Sequence, residues 1–321
     1  MAYNGYNYPS APPPPAQQPP SPYYQENGRF YGTYHQGQYM LPVDEDELDK
    51  LDIFHKFFLV TRDKDSYGPG LHQHQITEAS PRILDLGCGT GIWAIDMADR
   101  FHYARIVGLD LNYTQPERIP NTIEFRRQDV EEPNWGLELD SFDLVHLQMM
   151  AGSIRDWAAL YHNAFRHLKP GTGMIEHIEI DFQPLSDGSL PADARLLHWY
   201  SELSSAYARA GKPLALNRQN DVDVLLRQAG FDDIQCFTRD IPYHPWPAGE
   251  KEKEIGRWFN LAMVQGLQAM TLAPLTRHAG YDKTQVDKLV GEAKKDILTR
   301  SRRSYCKMHI WTAKRPFNKR Y

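Results

Sequence analysis

The sequence predicts an α/β protein built on a doubly wound, mostly parallel sheet with helices on both faces. Two observations lead to this prediction. Between residues 80 and 181, short apolar runs alternate with segments of helical periodicity, which is typical of β-α-β units with right-handed crossovers. The first apolar run, residues 82–86, ends in a glycine-rich turn that a helix-compatible stretch follows.

Length, charge and cysteine count exclude several other classes. The 321 residues suffice for one large α/β domain, and the formal net charge of −5 offers no basic surface for direct binding of nucleic acid. The three cysteines form no C-x-x-C pair, so we expect a reducing compartment and neither a disulfide framework nor a metal site. No stretch offers the roughly 18 apolar residues of a membrane span.

The beginning of the chain differs in composition from the rest. Residues 1–27 consist mainly of Pro, Gln, Tyr, Ser and Gly, with prolines at all of positions 12–15. Such a segment buries too little apolar surface to offset the entropy of an ordered chain. We therefore expect a disordered Pro-rich tail over residues 1–27 and a single folded domain over residues 28–321.

The folded domain opens with a predicted helical extension, residues 28–79. The acidic run 44–47 suits the positive end of a helix dipole, and apolar residues then recur at helical spacing, Leu51 and Phe54 among them. We expect this helix to pack on the main domain. His55 lies in the same helix, where it either faces a ligand or, as we favour, serves as a hydrogen-bonded structural residue.

The glycine-rich turn is the most informative part of the chain. Residues 82–91 read RILDLGCGTG, and Gly87, Gly89 and Gly91 allow a tight turn whose backbone can approach a flat ligand. A P-loop ends in Gly-Lys-Ser/Thr, and this turn has no lysine. The dinucleotide fingerprint separates its last two glycines by two residues, whereas Thr90 alone separates them here. Neither phosphate-binding motif is matched.

The acid before the turn indicates a cationic ligand. Asp85 stands two residues before Gly87, where a carboxylate repels a pyrophosphate and attracts positive charge. S-adenosylmethionine carries a sulfonium and an ammonium and no phosphate. It is therefore the cofactor that these residues predict.

Two more acids follow at the ends of predicted strands. The second strand, 105–111, carries Asp110 near the distance from the turn at which an acidic group meets ribose hydroxyls. Asp129 follows the third strand and is suited to accept from the exocyclic amine of an adenine. A fourth strand over 142–147 and a fifth over 174–180 complete the alternation, with a helix over 154–168 between them.

The motif DLGCGTG, the acid at the end of the next strand, Asp129 and the pattern HLKPGTG together resemble the Rossmann-like class I methyltransferases that use S-adenosylmethionine. The resemblance implies a seven-stranded sheet with helices on both faces and a cofactor-binding core over residues 80–181. It also implies specific contacts: Asp85 near the methionine amine, the backbone of Gly87, Gly89 and Gly91 against the cofactor, Asp110 on the ribose and Asp129 on the adenine.

A narrower resemblance runs from residue 29 to residue 316. The segments RFYGTYHQGQYM, LKPGTGMIEHIEID, GRWFNLAMVQGLQAMTLAPL and HIWTAKRP are similar to those of the fungal LaeA-like methyltransferases. This resemblance implies a regulator of secondary metabolism, development and sporulation, located in nucleus and cytoplasm. It also implies velvet-domain proteins, or related methyltransferase and adaptor proteins, as partners.

The sequence defines the methyl acceptor less well than the donor. Methyl transfer is a displacement at an activated carbon, so a general base is needed only if the acceptor starts protonated. The fourth strand lacks the Asn/Asp-Pro-Pro-Tyr turn of enzymes that methylate planar nitrogens. His177 in the fifth strand and His146 at the end of the fourth are the candidate catalytic bases, although each is also compatible with a structural histidine.

The remaining chain completes the predicted domain. We expect a helical insert over residues 182–230, which either covers the acceptor pocket as a lid or packs in the core, and C-terminal strands and a helix over residues 231–321. Three functions stay open: a regulatory methyltransferase, a biosynthetic O-methyltransferase acting on a small molecule, and a non-catalytic scaffold that binds the cofactor.

Overall fold

The computed structural model of the protein describes residues 21–62, 80–216 and 222–317. Most of the predicted tail, residues 1–20, lies outside the described residues. The same is true of residues 63–79, which form the second part of the predicted helical extension, and of residues 217–221 and 318–321.

The described chain begins with an antiparallel hairpin of two strands, β1 (Tyr23–Glu26) and β2 (Arg29–Gly32). Asn27 and Gly28 form its turn, and both have the positive φ that a two-residue hairpin turn requires. This hairpin corrects the predicted tail boundary at residue 27. Composition did not reveal it because its support is long-range: Glu26 forms an ion pair with Arg277 near the other end of the chain.

Helix α1 (Glu45–Thr61) follows, as the acidic run and the apolar spacing predict. Asp44 caps its N-terminus by accepting a hydrogen bond from the backbone N–H of Glu47, and three acids lie in its first turn. Phe54, Phe57 and Phe58 on its inner face are buried. The helix is therefore fixed to the domain by an aromatic seam.

Five parallel strands form the centre of the main sheet. They are β3 (Arg82–Leu86), β4 (Arg105–Asp110), β5 (Ile123–Arg127), β6 (Leu144–Gln148) and β7 (Met174–Ile180). They lie in the order β5-β4-β3-β6-β7, so the chain reverses direction across the sheet beside β3. In open α/β sheets, ligands bind at such a switch point, outside the carboxyl ends of the strands.

Three strands complete the sheet: β8 (Leu185–Ser186), β9 (Asp232–Pro242) and β10 (Ser304–Lys314). β10 is antiparallel to β7 along one edge and to β9 along the other, and the two-residue β8 pairs with its first residues. The seven long strands confirm the predicted class I methyltransferase sheet. β8 is a small addition to it.

The described residues form six further helices, which cover the sheet. They are α2 (Ile92–Arg100), α3 (Trp157–His167), α4 (Arg195–Arg209), α5 (Val222–Ala229), α6 (Glu250–His278) and α7 (Lys283–Leu298). α2 buries Trp93 and Met97 in one cluster with Ile83 and Leu144 of the sheet. α3 and α5 lie in a different cluster, with Leu84 and Val145 from the alternate positions of the same strands. Because successive side chains of a strand point to opposite faces, the helices lie on both faces as predicted.

The C-terminal half differs from the prediction in two respects. Two long helices, α6 and α7, replace the single helix expected over residues 231–321. In the predicted insert, α4 packs in the core: Trp199 is fully buried and its indole N–H donates to the Thr271 hydroxyl on α6 at 2.8 Å. Its aromatic residues therefore serve packing, and the helix is not a lid.

The aromatic seam around Phe259 of α6 predicts a large stability effect. Phe259 is fully buried, with its ring centroid 5.2 Å from that of Phe57 and 5.3 Å from that of Tyr243. We expect Phe259→Ala to lower the free energy of unfolding by about 3–5 kcal/mol because it leaves a cavity in the core. Urea denaturation measures this loss. Leu261→Ala, at an exposed position of the same helix, is the control and should change stability little.

Candidate active site

The glycine turn after β3 is held against the next strand. The N–H groups of Gly87 and Cys88 both donate to the carbonyl of Leu109, at 2.8 and 3.1 Å. Gly87 has φ +70°, and a Cβ at this position would lie 2.1 Å from the Met150 sulfur. A side chain cannot fit here, so the turn brings bare backbone to the wall of a cleft at the carboxyl ends of β3, β4 and β6.

The three predicted glycines do not share one role. Gly87 and Gly89 line the cleft, whereas Gly91 is not among the residues that line it. Gly91 begins α2 with φ +76°, and a Cβ there would lie 2.4 Å from the Phe125 ring. Gly91 is therefore needed for packing of the turn on β5, and its predicted cofactor contact stays a prediction.

Asp110 lies at the end of β4 and lines the cleft. Its two carboxylate oxygens accept hydrogen bonds from the backbone N–H groups of Gly89 and Asn112, each at 2.9 Å. Burial raises the pKa of Asp110, and these N–H donors partly oppose that rise. The carboxylate is held in one orientation and keeps lone pairs for a diol such as a ribose.

Asp129 lines the same cleft, just beyond the end of β5. One of its oxygens accepts from the N–H of Glu131 at 2.8 Å, and the other lies 3.8 Å from Nε2 of His35. The structure therefore brings Asp110 and Asp129 to one cavity, as the sequence predicts, with the acid predicted for the ribose and the acid predicted for the adenine in the same wall.

Asp85 lies deeper, in an adjoining cavity that shares Gly87, Gly89 and Gln148 with the first. Asp85 is 3% exposed, and its Oδ2 atom has no hydrogen-bond partner among the described residues. Burial, and secondly the charge of Asp110, raise its pKa well above the usual value. An unpaired buried carboxylate is costly, so this position is arranged for a ligand that brings donors and positive charge.

Within the described part of the chain, Asp85 is one of four residues of the adjoining cavity that carry a buried polar atom without a partner. The others are His55, Gln148 and His146, through Nδ1, Oε1 and Nε2 respectively. His55 also bonds Asp96 through Nε2 at 2.6 Å. The sequence analysis favoured a structural role for His55. A signal for a position at the site was its place one helical turn from Leu51, and Leu51 lines both cavities.

The two predicted catalytic histidines occupy different environments. His177 lines neither cavity: its Nδ1 lies 2.7 Å from the Tyr161 hydroxyl, its Nε2 lies 2.9 Å from Glu179 Oε1, and the ring stacks on Trp157. Both ring nitrogens are engaged inside the core, so the structure does not support His177 as the base. His146 lines the adjoining cavity and keeps one nitrogen unpartnered.

Glu179 explains why His177 is buried where it is. The same Oε1 atom accepts hydrogen bonds from the N–H groups of Met150 and Ala151, at 2.7 and 2.9 Å. His177 therefore orients the carboxylate that fixes the loop after β6. Met150 of this loop lines the cleft, so His177 supports the site without contacting its contents.

The N-terminal segment covers the cleft, which the sequence did not predict. Arg277 on α6 holds this cover: its guanidinium donates to Glu26, to the Tyr24 hydroxyl and to the carbonyls of Gly37 and Tyr39. Burial raises the pKa of Tyr39 well above its usual value. The cover contributes seven residues to the cavity wall: Tyr34, His35, Gln38, Tyr39, Leu41, Lys50 and Leu51.

S-adenosylmethionine fits this arrangement. The unpartnered carboxylate of Asp85 is suited to the ammonium, the fixed carboxylate of Asp110 to the ribose diol, and Asp129 to the adenine amine. When bound, this cofactor supplies an activated methyl group on a positively charged sulfur. Fold and site together define a class I methyltransferase that uses S-adenosylmethionine.

Comparison with known proteins agrees with this class. A family model described as a methyltransferase domain matches residues 61–236. Among solved structures, a putative methyltransferase from an antibiotic biosynthesis pathway of Anabaena variabilis superposes with a TM-score of 0.50 at 13% identity, covering 76% of this chain and 94% of that one. At this identity the likeness shows the fold.

Curated relatives narrow the class to a family. The chain is 46% identical over 299 residues to the secondary metabolism regulator LAE1 of Cochliobolus heterostrophus, covering 91% of this chain and 95% of the relative. It is 37% identical over 294 residues to the protein-methionine methyltransferase laeA of Emericella nidulans, covering 92% and 77%. The chain belongs to the LaeA and LAE1 family of secondary metabolism regulators and carries its methyltransferase domain.

The position of Asp110 predicts the effect of its removal. We expect Asp110→Ala to weaken S-adenosylmethionine binding by about 1.5–3 kcal/mol, because charge-assisted hydrogen bonds to the ribose are lost. Titration calorimetry measures the affinity. Asp99→Ala, at an exposed position of α2, is the control. Unchanged affinity in Asp110→Ala would contradict the assigned position of the ribose.

Asp85 predicts a stability gain that depends on pH. Its folded pKa lies above its unfolded value, so ionisation penalises the folded state, and the penalty grows as pH rises from the unfolded pKa toward the folded one. Asp85→Asn should therefore stabilise the ligand-free protein by about 1–3 kcal/mol at pH 8 and by less at pH 5. Urea denaturation at the two pH values tests this. A gain that does not depend on pH would show that the carboxylate is not the cause.

Proposed function

We propose that this protein is an S-adenosylmethionine-dependent methyltransferase that regulates secondary metabolism by methylating a protein. One observation carries the enzymatic part: a buried carboxylate without a partner, Asp85, stands beside a bare-backbone turn in a cleft that also holds Asp110 and Asp129. Such an arrangement is costly unless a cationic nucleoside occupies it. The regulatory part is supported by the extent of similarity to the curated relatives.

The acceptor we propose is the thioether of a methionine side chain. The relative from Emericella nidulans is named a protein-methionine methyltransferase. A thioether sulfur has no proton to lose, so its methylation needs alignment and exclusion of water and no general base. Transfer without a general base agrees with the lining of the cleft, because apolar residues such as Leu51, Met149, Met150 and Ile154 contribute much of its wall.

Partners and location follow from the family resemblance and are also proposed. We propose that velvet-domain proteins, or related methyltransferase and adaptor proteins, bind this chain, and that it works in nucleus and cytoplasm. The formal net charge of −5 supports action through proteins and not through direct contact with nucleic acid. No helix in the described residues has the length and apolar character needed to cross a membrane. Affinity capture of the full chain from native cells tests the partner set.

Labelled methyl transfer tests the proposed activity. The purified chain, tritiated S-adenosylmethionine and synthetic peptides that differ only by methionine or norleucine at one position should give label on the methionine peptide alone. Norleucine has nearly the same shape and lacks the sulfur. The label should sit on a sulfonium, because no proton leaves the acceptor.

The other outcomes separate the competing functions. Label transferred to phenolic small molecules and to no peptide would establish a biosynthetic O-methyltransferase. Cofactor binding by calorimetry without transfer to peptides or to proteins of a native cell extract would establish a scaffold. Absence of cofactor binding would refute every enzymatic assignment.

A further inference from the structure

Three polar residues form a row across the centre of the sheet. Asp85 on β3 is in register with His146 on β6, and His146 is in register with Glu176 on β7. Residues in register on parallel strands project to the same face. All three side chains are buried, with exposures of 3%, 1% and 0%. The row therefore lies beneath the cofactor cleft, on the side covered by α1 and α2.

The imidazole of His146 is fixed in position, and its surroundings favour one tautomer. Its ring stacks on Trp93 with a centroid distance of 3.7 Å and an interplanar angle of 3°, and its Nδ1 lies 3.0 Å from Glu176 Oε2. The Arg62 guanidinium lies 3.6 Å from the same Glu176 oxygen and favours the ionised carboxylate. An ionised carboxylate only accepts hydrogen bonds, so this arrangement favours the tautomer with the hydrogen on Nδ1 and a lone pair on Nε2. Nε2 is buried, and no described residue bonds to it.

Two neighbouring strands thus carry buried acceptor atoms for which the described residues supply no N–H or O–H donor. Asp85 Oδ2 and His146 Nε2 are both unpartnered, and a third such acceptor, Gln148 Oε1, lies two residues beyond His146. All three residues line the adjoining cavity. A primary ammonium has three N–H groups and a positive charge, so it matches this set in number and in sign.

We propose that His146 is a positioning residue that, together with Asp85, accepts hydrogen bonds from the ammonium group at the amino-acid end of the cofactor. The inference rests on the proposed function, because it requires S-adenosylmethionine in the cleft. It assigns His146 a role other than the base that the sequence suggested. Gln148, and not His146, ends β6, so His146 lies on the donor side of the site, beside Asp85 and away from an incoming acceptor.

This role makes cofactor binding depend on pH. Protonation of Nε2 would turn the acceptor into a donor and place a positive charge against the ammonium. The charged and titratable groups around His146 are Asp85 on β3, Glu176 and His177 on β7, His55 on α1 and Arg62 just after it. Burial lowers the pKa of His146, so the acceptor form prevails near neutral pH and is lost in acid.

The test compares two ligands that differ at the amino-acid end. S-adenosylhomocysteine carries the ammonium, and 5′-methylthioadenosine lacks the whole amino-acid portion. Calorimetry from pH 5.5 to 8.5 is carried out on the wild-type chain and on His146→Asn. The asparagine amide can still donate to Glu176 from the position of Nδ1, but it has no atom at the position of Nε2.

We expect His146→Asn to bind S-adenosylhomocysteine about 10- to 100-fold more weakly at pH 8, the range for one hydrogen bond to a charged group. The pH dependence of ligand binding should also be weaker in the variant, because the proton that His146 binds no longer contributes and only the titration of Asp85 remains. Methylthioadenosine should bind wild type and variant equally. His309→Asn is the matched control, because His309 lies on β10 and bonds Thr238 outside the cavity.

Two results would overturn the inference. If His146→Asn keeps wild-type affinity and pH dependence for S-adenosylhomocysteine, His146 does not contact the ammonium, while the proposed function stands. If the variant loses both ligands equally, His146 has a structural role only. Failure of the wild-type chain to bind either ligand would instead refute the proposed function, and this inference with it.

Discussion

The site depends on a carboxylate that is kept inside the protein without a partner. Asp85 is positioned by the central strand of a parallel sheet, and no donor from residues 21–62, 80–216 or 222–317 reaches its Oδ2. Unpaired burial of this kind disfavours the ligand-free state, so the free energy that a cationic ligand recovers on binding adds to its affinity. Two surrounding features, the glycine turn and the N-terminal cover, shape the cavity around this oxygen. The glycine turn leaves room beside it, and Leu51 of the cover lines the cavity in which it lies.

The two faces of β7 carry two separate polar networks. Glu176 lies on one face, beneath the cofactor cleft, where it holds His146. His177 and Glu179 lie in a closed network with Tyr161, which fixes the loop after β6 from below. Alternation along β7 thus places Glu176 beside His146 of β6, which lines the cavity, and points His177 to the opposite face, although both histidines have a neighbouring carboxylate.

Sequence reasoning was accurate where the signal is local. The order of strands and helices, the Asp85 turn and the acids at the ends of β4 and β5 follow from periodicity and motif spacing within short windows. It was less accurate where contacts join distant parts of the chain. The hairpin depends on Arg277, the burial of α4 depends on Thr271, and the opposite environments of His146 and His177 depend on which strands are neighbours. A strand pattern shows which residues share a face but not what covers that face.

The N-terminal cover has a consequence for turnover. Its residues form part of the wall around the nucleoside, and Arg277 ties them to α6 through charged and backbone acceptors in several places. Binding and exchange of the donor therefore depend on the position of this segment as well as on the groups at the carboxyl ends of the strands.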